Sequence, residues 1–282
     1  MALSLGISPC PNDTYIFAAL VEGRLERSDG PGPLNAHFAD VDALNSAAKA
    51  GRFDIVKVSA SAVADIVDDY VVLNAGGALG RGCGPLLVAP ASKAVTVAGL
   101  RDAAIAVPGL LTTANLLLSL HGGFSGPRRE LIFHQIMPEL AAGRVDAGVI
   151  IHESRFTYAD HGLACVLDLG RWWEETTGAP LPLGVIVGKR SLGEPVLRRV
   201  EAGIRRSLEL ANARPEAVMP FVRAHAQEMD SAVLARHIAT FVNEFSLNLG
   251  EAGRDAVRRL VTRAAEARGI PLAAGKALCL PA

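Results

Sequence analysis

The stretch 149–158, VIIHESRFTY, places four side chains that could do chemistry directly after an apolar run. An apolar run that predicts a strand ends in His152, Glu153, Ser154 and Arg155. A histidine with an ordinary pKa of about 6.5 is mostly neutral at pH 7, so it can accept a proton as a general base. In an extended strand His152 and Ser154 would share a face, with Glu153 on the other. The alternative is a strand-end histidine that only forms a hydrogen bond.

Glu153 and Arg155 are charged residues that directly follow the histidine. We expect them to pair with each other or to brace the loop, where they would line a ligand cleft.

A second candidate is Lys57-Val58-Ser59, which closes the run DIVKVS just before a predicted helix. A ligand carboxylate would be stabilised by the free N–H groups and the positive dipole end of that helix. Alternatively, Ser59 or Ser61 caps the helix and Lys57 faces water.

A third candidate is Thr112-Thr113-Ala114, at the start of another predicted helix. Two hydroxyls beside free backbone N–H groups suit a carboxylate or another oxyanion. A simple N-cap needs only one threonine, so the pair favours contact with a ligand.

The fourth candidate is the turn SPCPNDT, in which Asn12 or Asp13 is a plausible N-cap. The turn is either a rigid loop that lines a cleft or an ordinary strand-to-helix connection. Cys10, near the helix N-terminus, could have a lowered pKa, but a small buried thiol is the favoured interpretation.

The elements that would position these residues alternate between strand and helix through the first two-thirds of the chain. Apolar runs without clear alternation, each followed by a helix, predict an α/β fold with parallel sheets covered on both faces. From Glu194 onward, apolar residues at helical spacing predict helices. The predicted strands are Leu3–Ser8, Asp54–Ser59, Asp69–Leu73, Ala103–Val107 and Ala147–Ile151.

Two extended stretches, 76–90 and 181–189, suggest crossings between lobes. They predict a discontinuous first lobe (1–87 and 188–282, with the C-terminal helices) and an inserted second lobe (88–187). A two-lobed chain of this kind has its ligand cleft between the lobes, as in a bilobed solute-binding protein.

Composition limits the function classes. The chain has 282 residues, 50% of them hydrophobic, and a net charge of −1, so nothing indicates a nucleic-acid partner. The four cysteines are scattered, without spacing for a disulfide framework or a zinc site, which is typical of a reduced, cytoplasmic protein. No signal peptide or membrane span is predicted, and the sequence carries no indication of an oligomeric state.

Several familiar motifs are absent. HESRF lacks the second histidine of H-E-x-x-H, and GGALGRGCG is neither a phosphate-binding loop nor a dinucleotide fingerprint. GFSGP has the wrong spacing for a nucleophile elbow. His121, His134, His225 and His237 lie apart without ligand spacing, so we expect no metal.

The segments SPCPNDTYIF, GGALGRGCGPL, VPGLLTTANLLLSL and VIIHESRFTY occur in an order that closely resembles the 1,4-dihydroxy-6-naphthoate synthase family of the futalosine route to menaquinone. The similarity continues through WWEE and LPLGVIVGKR to RAHAQEMD and VNEFSLNLGEAG, and so covers nearly the whole chain. The differences are conservative, such as Tyr15 where phenylalanine is usual.

The resemblance implies a periplasmic-binding-protein type II fold used as an enzyme. It implies a carbon–carbon lyase that splits the carboxylate cyclic dehypoxanthinyl futalosine into 1,4-dihydroxy-6-naphthoate and dihydroxyacetone, without a metal or redox cofactor. The proton acceptor of the family falls on His152. The substrate-binding positions fall on Lys57, Val58, Ser59, Thr113 and Ala114.

Three alternatives use similar architecture. A non-catalytic carboxylate-binding protein would carry a leader or lipid anchor, whereas this sequence begins with a predicted strand. A second alternative is chorismate dehydratase, a sister enzyme, and the motifs SPCPNDT and HESRFTY argue against it. A ligand-gated regulatory domain would need an attached DNA-binding segment.

Overall fold

A computed structural model describes residues 2–26, 30–226, 230–273 and 275–281. The chain forms two compact units, the first comprising Met1–Gly80 and Pro182–Ala282 and the second comprising Arg81–Leu181. One mixed β-sheet lies in each unit.

The strands are β1 (Leu3–Ile7), β2 (Leu34–Phe38), β3 (Ile55–Ser59), β4 (Tyr70–Val72), β5 (Ala78–Gly80), β6 (Leu86–Pro90), β7 (Ile105–Val107), β8 (Arg128–Glu130), β9 (Ala147–Ile150), β10 (Leu163–Asp168) and β11 (Leu181–Lys189). The helices are α1 (Pro11–Val21), α2 (Val41–Lys49), α3 (Thr113–His121), α4 (Ile136–Ala141), α5 (Ser154–Thr157), α6 (Leu169–Thr177), α7 (Glu194–Ala213), α8 (Pro215–His225), α9 (Ser231–Phe241), α10 (Glu244–Leu247) and α11 (Gly250–Arg268).

The unit boundaries fall a few residues before the predicted ones, which were 87/88 and 187/188. The reason is strand membership. Strand β6 pairs with β9 and β10, so the approach to it, from Arg81, belongs to the second unit. Strand β11 pairs with β3 and β4, so the residues from Pro182 onward belong to the first unit.

The first sheet has the order β2-β1-β3-β11-β4, with β5 also paired to β11. Strand β1 is parallel to β2 and β3, whereas β11 is antiparallel to β3 and β4. The second sheet has the order β10-β6-β9-β7-β8, in which β6 is antiparallel to both of its neighbours. The α/β fold class is confirmed, but the expectation of parallel sheets was wrong at β6, β10 and β11.

The core of the first unit lies between its sheet and the helices α1, α7 and α8. Helix α1 begins at Pro11, whose fixed φ and missing N–H suit a first helical position. Ile16, Phe17, Ile204 and Leu208 are fully buried in this cluster. The helical spacing from Glu194 onward is confirmed by α7, α8, α9 and α11. In the RAHAQEMD segment, residues 227–229 lie outside the described residues.

The core of the second unit is smaller. It consists of the sheet residues Leu86, Val88, Ala106 and Ile150 packed against Ile136 and other residues of α4. No helix in the described ranges is both long and apolar enough to cross a membrane.

Gly84 and Gly170 make a close backbone contact in the second unit, where the segment before β6 meets the first turn of α6. A Cβ atom added at Gly84 would lie only 2.7 Å from the Gly170 nitrogen. Both residues therefore need to be glycine because the backbones occupy the space that a side chain would fill.

We predict that Gly84→Ala destabilises the protein by about 1–3 kcal/mol, the usual cost of overpacking. Gly99→Ala in the same unit is the matched control, since an added Cβ there meets its nearest atom at an ordinary 3.5 Å. Thermal unfolding of both variants measures the difference. Equal midpoints for the two variants would contradict the close backbone contact.

Candidate functional site

The predicted residues of the first unit gather at one edge of its sheet. Strands β1 and β3 are parallel neighbours, with Leu5 opposite Ile55 and Gly6 opposite Val56. Their carboxyl ends therefore lie side by side, which is where ligands collect in sheets of this type. The turn after β1 leads to Asn12 and Asp13, and the end of β3 supplies Lys57 and Ser59.

Lys57 and Asp13 form a buried ion pair. Lys57 Nζ lies 2.5 Å from Asp13 Oδ1, and the two side chains are 5% and 1% exposed. The suggestion that Lys57 faces water was therefore wrong, because its charge is held inside by a carboxylate. Gly184 on β11 makes room for it, since an added Cβ at that position would lie 2.7 Å from Lys57 Cε.

The first turn of α1 extends the charge pair into a hydrogen-bond chain. Asp13 Oδ2 accepts a hydrogen bond from Ser8 Oγ at 2.9 Å, and Asp13 Oδ1 accepts one from Asn12 Nδ2 at 2.8 Å. Asn12 Oδ1 lies 3.0 Å from His237 Nε2 on α9. Because Asn12 donates to a carboxylate through its nitrogen, its oxygen must accept, so His237 carries its proton on Nε2.

The predicted N-cap role of Asn12 and Asp13 was wrong. Helix α1 begins at Pro11, its N-cap is Cys10, and no side chain caps it. Asn12 and Asp13 lie instead within the first turn, where a carboxylate is favoured by the helix dipole. Cys10 is buried, as expected.

Ser59 is held by Asn45 of α2, and Val58 is fully buried between Lys57 and Ser59 in the strand. Ser59 N donates to Asn45 Oδ1 at 2.8 Å, and Asn45 Nδ2 donates to Ser59 Oγ at 3.0 Å. The segment after β3 is a 3₁₀ helix, Ala60–Asp65, without a side-chain cap. Ser59 occupies the N-cap position, as suggested, but its side chain makes no capping hydrogen bond, and Ser61 lies within the helix.

The predicted residues of the second unit gather in the same way. Strands β7 and β9 are parallel neighbours, with Ile105 opposite Ala147 and Ala106 opposite Gly148. The segment after β7 leads to the start of α3, and the segment after β9 leads to His152. The carboxyl ends of β7 and β9 therefore share one edge of this sheet.

The two threonines at α3 have different positions. Thr112 is the N-cap, and its hydroxyl accepts a hydrogen bond from Asn115 N at 3.3 Å. Thr113 and Ala114 are the first residues of the helix, and both are buried. The N-cap function therefore needs Thr112 alone, as the sequence suggested.

His152 adopts a left-handed backbone conformation, with φ of 55°. Strand β9 ends at Ile150 and α5 begins at Ser154, so His152 and Glu153 form a tight turn. The expectation that His152 and Ser154 share a strand face was wrong for this reason. A left-handed conformation costs a residue other than glycine about 1–2 kcal/mol, which marks the turn as a site where the surrounding structure enforces the geometry.

The imidazole of His152 is half-buried and packs on Phe133. The ring centroids are 4.9 Å apart and the planes meet at 66°, the edge-to-face arrangement that aromatic pairs prefer. The phenyl ring therefore limits the orientations that the imidazole can adopt.

Arg155 braces the turn that carries His152. Its guanidinium donates to the carbonyl oxygen of Gly84 and, at 3.3 Å, to Asp168 Oδ2. Asp168 also caps α6 through Arg171 N at 2.9 Å. Arg155 thus connects the turn to the segment before β6 and to the end of β10. Glu153 occupies the N-cap position of α5.

The thiols of the second unit are poor nucleophiles. Burial raises the pKa of Cys83 to about 12, although the nearby Arg155 acts in the opposite direction. Burial also raises the pKa of Cys165. Both shifts favour the protonated thiol at neutral pH, which disfavours thiolate chemistry at these two positions.

The described part of the chain offers no set of side chains for metal chemistry. There, no group of three or more His, Cys, Asp or Glu side chains could hold a metal ion. The polar groups that the candidate residues present are the imidazole of His152 and the hydroxyls, amides and backbone groups described above.

Sequence reasoning missed Asn45, Phe133 and Asp168 as supporting residues. Asn45 had a recognisable signal, since it is an amide on the buried face of α2 between Leu44 and Ala48. His237 was noted only for its lack of ligand spacing. It shares the buried face of α9 with Leu234 and Phe241, and its partner Asn12 is 225 residues away in sequence.

We predict that Asp13→Asn destabilises the protein by about 3–5 kcal/mol, because the ammonium of Lys57 loses its counter-charge in a buried site. The double variant Asp13→Asn with Lys57→Met should be more stable than Asp13→Asn alone. Lys49→Met is the control, since Lys49 is 58% exposed and pairs with Asp65 at 3.4 Å, so its loss should cost about 0–1 kcal/mol. Chemical denaturation compares the variants, and equal costs for Asp13→Asn and Lys49→Met would contradict the buried pair.

Solved structures share this fold. The protein AF1704 from Archaeoglobus fulgidus superposes with a TM-score of 0.87 at 32% identity, over 96% of this chain and 98% of that one. The alkanesulfonate-binding protein SsuA from Xanthomonas axonopodis pv. citri, bound to MOPS, superposes with a TM-score of 0.72 at 18% identity, over 96% and 94% of the two chains. The fold is therefore that of the periplasmic binding proteins.

Two relatives match over nearly the full length. The 1,4-dihydroxy-6-naphthoate synthase of Thermus thermophilus is 51% identical over 95% of this chain and 96% of its own. The enzyme of the same name from Streptomyces coelicolor is 45% identical over 99% and 98%. A family model described as menaquinone biosynthesis matches residues 3–266. The chain therefore belongs to the menaquinone-biosynthesis family that contains the 1,4-dihydroxy-6-naphthoate synthases.

Proposed function

We propose that this protein is a carbon–carbon lyase that converts cyclic dehypoxanthinyl futalosine into 1,4-dihydroxy-6-naphthoate and dihydroxyacetone. His152 is the proton acceptor. Identity of 51% and 45% to enzymes named for the naphthoate product supports the reaction. The observation that carries the role of His152 is its enforced left-handed turn at the carboxyl end of β9.

The proposed chemistry starts when a neutral imidazole nitrogen of His152 takes a proton from carbon. The electron pair of the broken C–H bond forms a new double bond, and the spiro ring opens with its oxygen kept on the carbon of the second ring. The C–C bond from that carbon to the three-carbon fragment then breaks, and its electron pair stays with the fragment. The fragment takes back the proton from His152 and leaves as dihydroxyacetone. Aromatisation of the second ring provides the driving force. General-base catalysis of this kind contributes about 10²–10⁴-fold to the rate.

The turn geometry explains how His152 would be held ready for this step. Arg155 fixes the following residues to Gly84 and Asp168, and Phe133 restricts the ring. A base that is already oriented loses less freedom when it meets its substrate, which favours proximity catalysis.

Substrate binding is proposed for Thr113 and Ala114 in the second unit and for Lys57, Val58 and Ser59 in the first. Thr113 and Ala114 are in the first turn of α3, where backbone N–H groups favour an anion. Since Thr112 already caps this helix, the side chain of Thr113 is not needed for capping. Asn12, Asp13, Glu153 and Arg155 support these residues.

We predict that His152→Asn lowers kcat by two orders of magnitude or more while substrate affinity stays within a few-fold. Asparagine tolerates the left-handed conformation at position 152 better than most residues, so the melting temperature should stay close to that of the wild type. Steady-state assays with cyclic dehypoxanthinyl futalosine, with naphthoate as the measured product, test this.

His134→Asn is the matched control, because His134 is exposed and also packs edge-to-face on Phe133, at 5.5 Å between centroids. It should keep nearly full activity. Turnover by His152→Asn at the level of this control would contradict the base assignment. A folded wild-type protein that binds the substrate without releasing naphthoate would instead indicate a carboxylate-binding protein.

A further inference from the structure

Asn45 and Ser59 form a reciprocal pair of hydrogen bonds inside the first unit. Ser59 N donates to Asn45 Oδ1 at 2.8 Å, and Asn45 Nδ2 donates to Ser59 Oγ at 3.0 Å. Asn45 is 1% exposed and Ser59 is 3% exposed. The pair joins the middle of α2 to the last residue of β3.

The hydrogen-bond roles in this pair are fixed by chemistry. A backbone N–H can only donate, so the Asn45 atom that faces Ser59 N must be the oxygen. The other Asn45 atom is then the NH₂ group, which also only donates. Ser59 Oγ must therefore accept from Asn45, and the hydroxyl proton of Ser59 must point elsewhere. No acceptor for that proton lies within hydrogen-bond distance among the residues described.

We propose that Asn45 is a positioning residue that turns the Ser59 hydroxyl into a dedicated donor to the substrate carboxylate. This inference rests on the proposed function, which makes the ligand an anionic carboxylate. A hydroxyl that is free to rotate can accept or donate, whereas the Ser59 hydroxyl, which already accepts from Asn45, is left to donate. A donor to a charged oxygen gives a stronger hydrogen bond than one to a neutral acceptor.

The charges beside Ser59 do not oppose an anion. Lys57 lies two residues earlier in β3, so its side chain shares a face of the strand with Ser59. The carboxylate of Asp13 lies against the Lys57 ammonium at 2.5 Å. The charge of Asp13 is therefore already neutralised by Lys57. A substrate carboxylate bound at Ser59 would be repelled only weakly by Asp13.

Asn45→Asp tests the proposal because it replaces the NH₂ donor by a carboxylate oxygen of the same shape. The new group can only accept, so it should still accept from Ser59 N and should also take the Ser59 hydroxyl proton. We expect KM for cyclic dehypoxanthinyl futalosine to rise about 10- to 100-fold, with kcat within a few-fold of the wild type. Calorimetry with 1,4-dihydroxy-6-naphthoate as the probe should show a matching rise in Kd.

The double variant Asn45→Asp with Ser59→Ala separates the hydroxyl from the added charge. If Asn45 acts through Ser59, the double variant binds as Ser59→Ala does. If charge repulsion alone weakens binding, the double variant is weaker than Ser59→Ala, which would overturn the proposal. Asn35→Asp, on the exposed side of β2, adds the same charge to this unit and should leave KM and Kd unchanged.

Asn45→Leu is the second variant, in case the introduced carboxylate prevents folding. It removes the fixed donor, so the Ser59 hydroxyl can rotate, and KM and Kd should rise about 3- to 10-fold. Thermal melting confirms that each variant is folded. A folded Asn45→Asp or Asn45→Leu protein with wild-type KM and Kd would overturn the proposal.

The two assays distinguish the failure of this inference from the failure of the proposed function. If the wild type binds the naphthoate without turning over the substrate, the proposed function fails, and Kd alone still decides the role of Asn45. If the wild type turns over normally and Asn45→Asp changes neither KM nor Kd, only the inference fails. A folded wild type that neither binds nor reacts overturns both.

Discussion

Lys57 and Asp13 place a full positive and a full negative charge 2.5 Å apart where almost no water can reach them. Removing two charges from water costs several kcal/mol for each ion, so the pair persists only when the remaining donors and acceptors are also satisfied. The carboxylate meets this demand by accepting from Ser8 and Asn12 as well as from Lys57. Asn12, oriented in this way, then accepts from His237. One charge pair thus determines the hydrogen-bond polarity of side chains from β3, α1 and α9.

The second unit holds its candidate residues by backbone conformation rather than by a buried charge. His152 has a left-handed φ, and the residues around it supply the contacts that keep it there. Arg155 connects the turn to Gly84 and Asp168, and Phe133 packs against the imidazole. The Lys57 and Asp13 group in the first unit therefore offers fixed hydrogen-bond donors and a neutralised charge pair. The turn in the second unit offers the imidazole of His152. The substrate binding and the proton transfer proposed for this protein need these different properties.

The sequence predicted the α/β class, the helices after Glu194 and the positions of the candidate residues at strand ends, because each depends on local periodicity or on a motif. It failed where the outcome depends on partners far away in the chain. The orientation of Lys57 is set by Asp13, 44 residues earlier, and that of Ser59 by Asn45 on another element. The antiparallel pairing of β6 and β11 was also missed. An apolar run predicts a strand, but it does not indicate which strands lie beside it or in which direction they run. The left-handed turn at His152 contains no glycine or asparagine, the residues that usually indicate such a turn in a sequence.

The missing side chain at position 184 couples two distant parts of the chain. Gly184 lies on β11 opposite Ser59, and any Cβ there would meet the stem of Lys57 at 2.7 Å. A larger residue at position 184 would therefore displace the Lys57 side chain and pull its ammonium away from Asp13. The absence of a side chain on one strand thus preserves a charge pair formed by two other elements.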